Sequence, residues 1–257
     1  QPFPGRSFQR PPFRYPLMLL ALLAVFALAA CGGGQPTPTP ADPLALVTEA
    51  AAAIRAADSF RMIVDQTGPT YPINTEFGSV AFRRADARYA APDTLQAALA
   101  VLALGARLDV DVFARGADQW FRAPLWTGNQ WLQATFAPGF NPEILIAQDT
   151  GFQAAVDAAR DLNVIGDTQL ESGQNVVHIQ GRADGPALNG LLVGLIEMQG
   201  DVLVDVFIDR ETHFPARFVL TETVEGEDEP RVWTLDILDV NAPVQLDDPE
   251  ATPEAAS

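Results

Sequence analysis

Few residue types in this 257-residue chain can do chemistry at a fixed point: one cysteine, two histidines, and 33 carboxylates set against 16 basic residues that are all arginine. His178 sits in "VVHIQG" and His213 in "RETHFP". Neither has a second ligand or a base partner at an informative spacing, so ordinary strand and turn histidines are the simpler account. Asp109 with Asp111, and Asp205 with Asp209, are spaced to share one strand face. A calcium site or a carboxylate pair for glycoside hydrolysis would need such spacing, but a solvated outer face predicts the same alternation. Trp120, Trp126 and Trp131 crowd into twelve residues, which suits either a sugar-stacking platform or aromatic packing across short strands. There is no Gly-x-Ser-x-Gly, phosphate loop or metal-ligand spacing, so the chain reads as a non-enzyme without cofactor or metal.

The cysteine is different, because its surroundings are specific. Cys31 has no partner for an intrachain disulfide, which leaves a buried small hydrophobe, a reactive thiol or a site of modification. Upstream stand Arg6, Arg10 and Arg14 with no acid, then the uncharged run "YPLMLLALLAVFALAA" ending in small residues, the layout of a secretory signal peptide. As a helix this run covers only about 24 Å against roughly 30 Å of hydrocarbon, so export and cleavage fit better than a permanent span. The residues Leu28-Ala29-Ala30-Cys31 resemble the bacterial lipobox, in which the thiol is lipidated and cleavage leaves the cysteine first. The segment "GGGQPTPTPADP" that follows suits a tether, with flexible glycines and then an extended Pro-Thr alternation. Two acyl chains on such a cysteine anchor stably where one is marginal. The expected location is therefore the outer side of the cell membrane, held there by lipid.

Charge excludes other partners. The net charge is −17, and removing residues 1–30 takes away three arginines and no acid. So acidic a surface repels nucleic acid and anionic headgroups. The expected divisions are a signal peptide over 1–30, a lipidated cysteine and tether over 31–42, one domain over 43–245 and a disordered acidic tail over 246–257.

The elements of that domain follow from caps and periodicity. Asp42-Pro43 caps a helix over about 43–57 with Leu44, Val47, Ala51 and Ile54 on one face. Strands follow from Ser59 and from Gly78; "LQAALAVLALGARL" suits strand or helix, and Leu108, Val110 and Val112 then alternate with aspartates. Asn141-Pro142 and the spacing of Phe152, Val156 and Ala159 predict helix again. Strands are expected over about 167–172 and 174–182. "GPALNGLLVGLIEMQG" then reads as a mostly apolar helix bearing Leu188, Leu191, Leu192, Leu195 and Ile196. Gly190 and Gly194 inside it imply close approach to a partner or a mobile lid. Three closing strands, "DVLVDVFID", "FPARFVLTETV" and "RVWTLDILDV", complete an α+β fold with a large antiparallel sheet.

From "DSFRMIVDQTG" through "DQWFRAPLWTGNQW" and "VDVFIDRETHFPARFVL" to "WTLDILDVNAPVQLDDP", the chain resembles the LppX and LprA/LprF/LprG lipoproteins of actinobacteria and related envelopes. The resemblance implies the fold of the LolA and LolB carriers: a curved antiparallel half-barrel with helices packed on its concave face around an apolar cavity. It also implies binding, and transfer across the envelope, of lipids or acylated glycolipids, with a membrane transporter as a candidate partner. It supplies no residue motif for lipid contact. The expected cavity residues Phe152, Val156, Leu188, Leu191, Leu192, Leu195 and Ile196 come from helical faces alone, and core filling explains the same faces. The alternative is an envelope sensor or scaffold that binds a protein or carbohydrate partner.

Overall fold

A computed structural model of the chain describes residues 42–75, 78–103, 105–137 and 139–250. The expected signal peptide, Cys31 and the tether up to residue 41 lie outside the described residues. Helix α1 (Pro43–Arg55) starts as its cap dictates, with the Asp42 carboxylate accepting the Leu44 N–H at 3.0 Å and proline in the first turn. It buries Val47, Ala50, Ala51 and Ile54.

Among the described residues the rest is dominated by one antiparallel sheet of twelve strands. In chain order these are β1 (Ser59–Thr67), β2 (Tyr71–Thr75), β3 (Gly78–Ala90), β4 (Thr94–Ala103), β5 (Ala106–Arg115), β6 (Asp118–Arg122), β7 (Leu132–Gln133), β8 (Arg160–Gln169), β9 (Asn175–Asp184), β10 (Asp201–Asp209), β11 (Pro215–Glu222) and β12 (Arg231–Leu238). They lie side by side as β7-β6-β5-β4-β3-β1-β12-β11-β10-β9-β8, with β2 also on β3. Strands β1 and β2 run in succession along the same side of β3, broken at Gly68, where a Cβ would stand 2.2 Å from the Pro230 carbonyl oxygen. Past that point β2 stays on β3 while β12 has lost its neighbour, so the sheet splits toward this end. We call this end the rim; it also carries the β4–β5 turn. The β8–β9 and β10–β11 turns form the base.

Period-2 alternation sets the two faces. Arg231, Trp233, Leu235 and Ile237 of β12 are buried while Val232, Thr234, Asp236 and Leu238 are not. The outer face carries cross-strand ion pairs, Arg61–Asp86 and Arg217–Asp236 among them. The segment "LQAALAVLA", compatible with helix by composition, is strand β4. Pairing with both β3 and β5 outweighs the helix propensity of its alanines and leucines.

The short helices α2 (Pro124–Thr127), α3 (Gly151–Asp157) and α4 (Gly185–Leu188) complete the fold, with 3-10 turns at Pro142–Leu145 and Asn189–Leu192. Helices α1 and α3 pack together, and α1 lies over β8, β10 and β11. The long apolar helix expected over 185–200 is not formed. One α turn passes into a 3-10 turn, and Val193 and Gly194 at φ 51° and 69° then reverse the chain. Gly190 is explained by close approach, since a Cβ there would stand 2.5 Å from the Gly151 nitrogen. The segment 193–200 forms an irregular roof. Residues 246–250, expected within a disordered tail, are instead held against the sheet: Asp247 pairs with Arg122 and Asp248 with Arg115. Both arginines stand on β5 and β6, far from the tail in sequence, so no local spacing reveals these partners. No helix among the described residues is long and apolar enough to cross a membrane.

Candidate functional site

The helical layer covers one half of the concave face and leaves the other thinly roofed. Under α1 and α3, where Phe152, Val156 and Leu191 meet Val204, Val206 and Phe218, only about 30 Å³ of space remains, one water's worth. Phe152 meets Phe60 edge-on and Phe218 at a tilt, at ring-centroid distances of 6.2 and 5.6 Å, and these residues pack as core.

The space lies on the β3–β6 half. One chamber of about 60 Å³ is bounded by Met62, Phe82, Leu95, Phe140, Leu192 and Ile196. A second, of about 280 Å³, runs on to the rim between Val80, Val101, Val110, Phe121 and Trp126. Ile73, Leu99, Val112, Phe136 and Leu195 line both, so the two adjoin. The smaller chamber has a local cause: β3 and β4 turn Ala85, Ala87 and Ala97 inward, where larger side chains would have filled it. Ser79 and the Trp126 indole are the polar side-chain groups of this lining, and none of its residues is titratable.

Three supports hold the chambers open. Gln119, buried on the same strand face as Phe121, clamps the loop 134–140. Its Oε1 accepts the Phe136 and Ala137 N–H groups at 3.0 Å each, and its Nε2 donates to the Ala137 carbonyl at 2.8 Å. This places Phe136 and Phe140 over the cavity. The roof has no regular backbone ladder, and side chains from three other places accept its consecutive N–H groups. The Tyr71 hydroxyl takes Glu197 at 2.9 Å, Asn189 Oδ1 takes Met198 at 2.9 Å and Glu222 Oε1 takes Gln199 at 3.0 Å. Glu222 also receives Arg231 at 2.9 Å, a pair with side chains only 6 and 10 % exposed. Arg231 donates further to the Pro69 carbonyl and lies 5.2 Å over the Tyr71 ring. One buried ion pair thus ties the roof to the break between β1 and β2.

The expected site residues divide on this geometry. Leu195 lines both chambers, Leu192 and Ile196 line the smaller, Phe152, Val156 and Leu191 line the filled half, and Leu188 is wholly buried and lines none of these spaces. The wall from β3, β4 and β5 was missed. Its signal was the alternation Leu95, Ala97, Leu99, Val101 at period 2, hidden by a composition that also suits helix.

The other chemical candidates have structural partners. Asp205 accepts from Gln180 at 2.8 Å and sits 2.7 Å from His178 Nε2, whose ring stacks 4.4 Å from Phe207. Asp209 caps its turn by accepting the Glu211 and Thr212 N–H groups at 2.9 and 2.7 Å. Burial opposes ionisation there, yet these donors and Gln174 hold the carboxyl below the usual range. Asp109 pairs with Arg107 and Asp111 with Arg122. His213 contacts Glu49 at 2.6 Å. The three tryptophans do not share a platform. Trp120 is buried edge-on against Phe113, Trp131 lies under Arg122 at 4.4 Å, and Trp126 stands at the rim. No group of three or more potential metal ligands occurs among the described residues.

A model of the LppX_LprAFG lipoprotein family matches residues 42–246. The chain belongs to this family. Its match covers both halves of the sheet, the roof and the loop clamped by Gln119. No curated protein matches the chain in sequence. LprF from Mycobacterium bovis superimposes with a TM-score of 0.61 at 15 % identity, over 80 % of this chain and 96 % of that one. LppX from Mycobacterium tuberculosis does so at 0.54 and 17 % identity, over 80 % and 98 %. At such identities the likeness is one of fold.

Proposed function

We propose that this lipoprotein binds the acyl part of a lipid or acylated glycolipid in the two adjoining chambers and carries it within the cell envelope. The observation that supports this most is the lining: about 280 Å³ of space opening at the rim, walled by hydrocarbon and free of titratable groups. An apolar cavity of about 150 Å³ already stays dry and takes a hydrocarbon guest, and small-molecule sites begin near 300 Å³. A length of acyl chain fits such a space. A headgroup would then sit at the rim beside Ser79. No catalysis and no cofactor are part of this reading; the walls offer an acyl chain contact area and exclude water.

The second part of the proposal is the anchor. Cys31 carries the lipid, the tether separates it from the domain, and the protein faces away from the cytoplasm. Transfer needs a donor and an acceptor, and a membrane transporter is the proposed partner for one of these steps. Solvent extraction of the purified protein followed by mass spectrometry tests the binding claim. Amphiphiles recovered in a fixed ratio to protein support it, and protein that is reproducibly free of them contradicts it.

A further inference from the structure

The connection between β6 and β7 is unusual in what it exposes. After Ala123, helix α2 presents Leu125 at 79 % and Trp126 at 53 % exposure. Leu132 at the start of β7 is 44 % exposed and is paired with Phe121, so it lies on the concave side. Phe121 and Trp126 are also walls of the larger chamber. The apolar surface is therefore continuous from inside the cavity, over the rim, to the outside.

We propose that this corner is where the protein meets the bilayer, with Leu125 and Trp126 seated among the headgroups so that the cavity opens onto lipid. The proposal rests on the lipid-carrier reading and adds the surface that carrier would use. Three observations choose a membrane over a protein. First, an exposed tryptophan beside leucine on a short turn suits the interfacial zone, where an amphipathic ring has one wet and one apolar side. Second, three side chains are too small a patch for a stable protein partner, which needs about 800 Å² per side. A patch continuous with a cavity mouth has a use for a bilayer that it lacks for a protein. Third, the ten residues between Cys31 and Asp42 let the two ends lie at most about 40 Å apart, comparable with the span of a domain of about 200 residues. Wherever the tether leaves the domain, the rim can reach the surface. Insertion by apolar side chains also needs no basic patch, in keeping with a net charge of −17.

The test uses the full lipidated protein in phosphatidylcholine vesicles. A nitroxide is attached at Leu125→Cys and, separately, at Ser172→Cys in the β8–β9 turn at the base; with Cys31 acylated, each variant has one free thiol. The label at position 125 should show a several-fold higher ratio of oxygen to nickel-chelate accessibility than the label at 172, which places it below the phosphates. Equal, water-like values at both positions would overturn the proposal, as would immersion of 125 that persists in Leu125→Cys with Trp126→Asp and Leu132→Asp. Lipid extraction from the same samples separates the two claims. Lipid retained with a water-exposed label removes only the docking corner, whereas an immersed label on lipid-free protein removes the carrier reading and leaves the docking. A label shielded from both reagents only after envelope extract is added would mean a protein partner instead.

Discussion

Leu195 and Leu192 stand three residues apart in the same segment yet should fail in different ways. Leu195 is half-buried and lines both chambers, so Leu195→Gln puts an amide where a chain would lie without leaving a buried group unsatisfied in the dry core. Acyl-lipid affinity should fall roughly tenfold, with unfolding free energy changed by less than about 1 kcal/mol. Leu192 is 3 % exposed, and Leu192→Gln should cost about 3 kcal/mol or more in urea titration. If both variants lose stability equally, Leu195 belongs to the core and not to a binding wall. A titratable residue allows a separate check away from the cavity. Asp86 accepts from Arg61 Nε at 2.8 Å, and that hydrogen bond, against partial burial, holds its carboxyl below the usual value. A depressed folded pKa contributes stability that is complete above the unfolded value of about 3.9 and is lost as pH falls toward the folded one. Asp86→Asn should therefore lower the melting temperature at pH 7 and flatten its decline below about pH 5. An unchanged acid limb would mean that the pair contributes nothing. At this scale the sequence was least informative. Arg61 and Asp86, like Glu222 and Arg231, meet only through strand register, which no local spacing reveals.

Among the elements, the roof over 193–200 carries the account, because it closes the chambers without being a helix or a strand. Its backbone is satisfied by Tyr71, Asn189 and Glu222, and Glu222 is fixed by Arg231. Removing one member of a buried pair strands the other charge, at about 3–5 kcal/mol, while replacing both can be nearly neutral. Arg231→Leu should thus be strongly destabilising, and Glu222→Leu with Arg231→Leu should recover most of the loss in stability. The double variant should still retain less acyl lipid, because Gln199 has lost its acceptor and the roof its tie. Full lipid retention would show that the roof is held by packing alone. The caps and alternations that define α1 and β10 to β12 were legible from the sequence, since Asp42-Pro43 and "RVWTLDIL" act over a few residues. The roof was not. Its apolar periodicity is helical, and what ends the helix is the left-handed turn at Val193 and Gly194, with Gly190 packed against Gly151, a contact visible only in three dimensions.

At the largest scale, the described residues form an open sheet used asymmetrically: one half is packed under α1 and α3, and the other is left hollow beneath a thin roof. The half-barrel could be anticipated from the order of elements and the resemblance they carry. The side on which it is hollow could not, because the walls that face the hollow include β4, whose composition equally suits a helix. Cys31 lies outside the described residues and stands or falls separately. Cys31→Ala should abolish incorporation of labelled palmitate and leave a soluble or unprocessed protein, and persistent labelling would place the anchor elsewhere. The claim that joins these scales is that the hollow half holds lipid. Native mass spectrometry of detergent-free protein reads it directly. The account predicts a discrete added mass of one acyl lipid, released on collisional activation, and its loss in a folded variant with Leu99→Phe and Val112→Phe, which fill the space both chambers share. The bare polypeptide mass throughout, or an added mass that survives those substitutions, would contradict it.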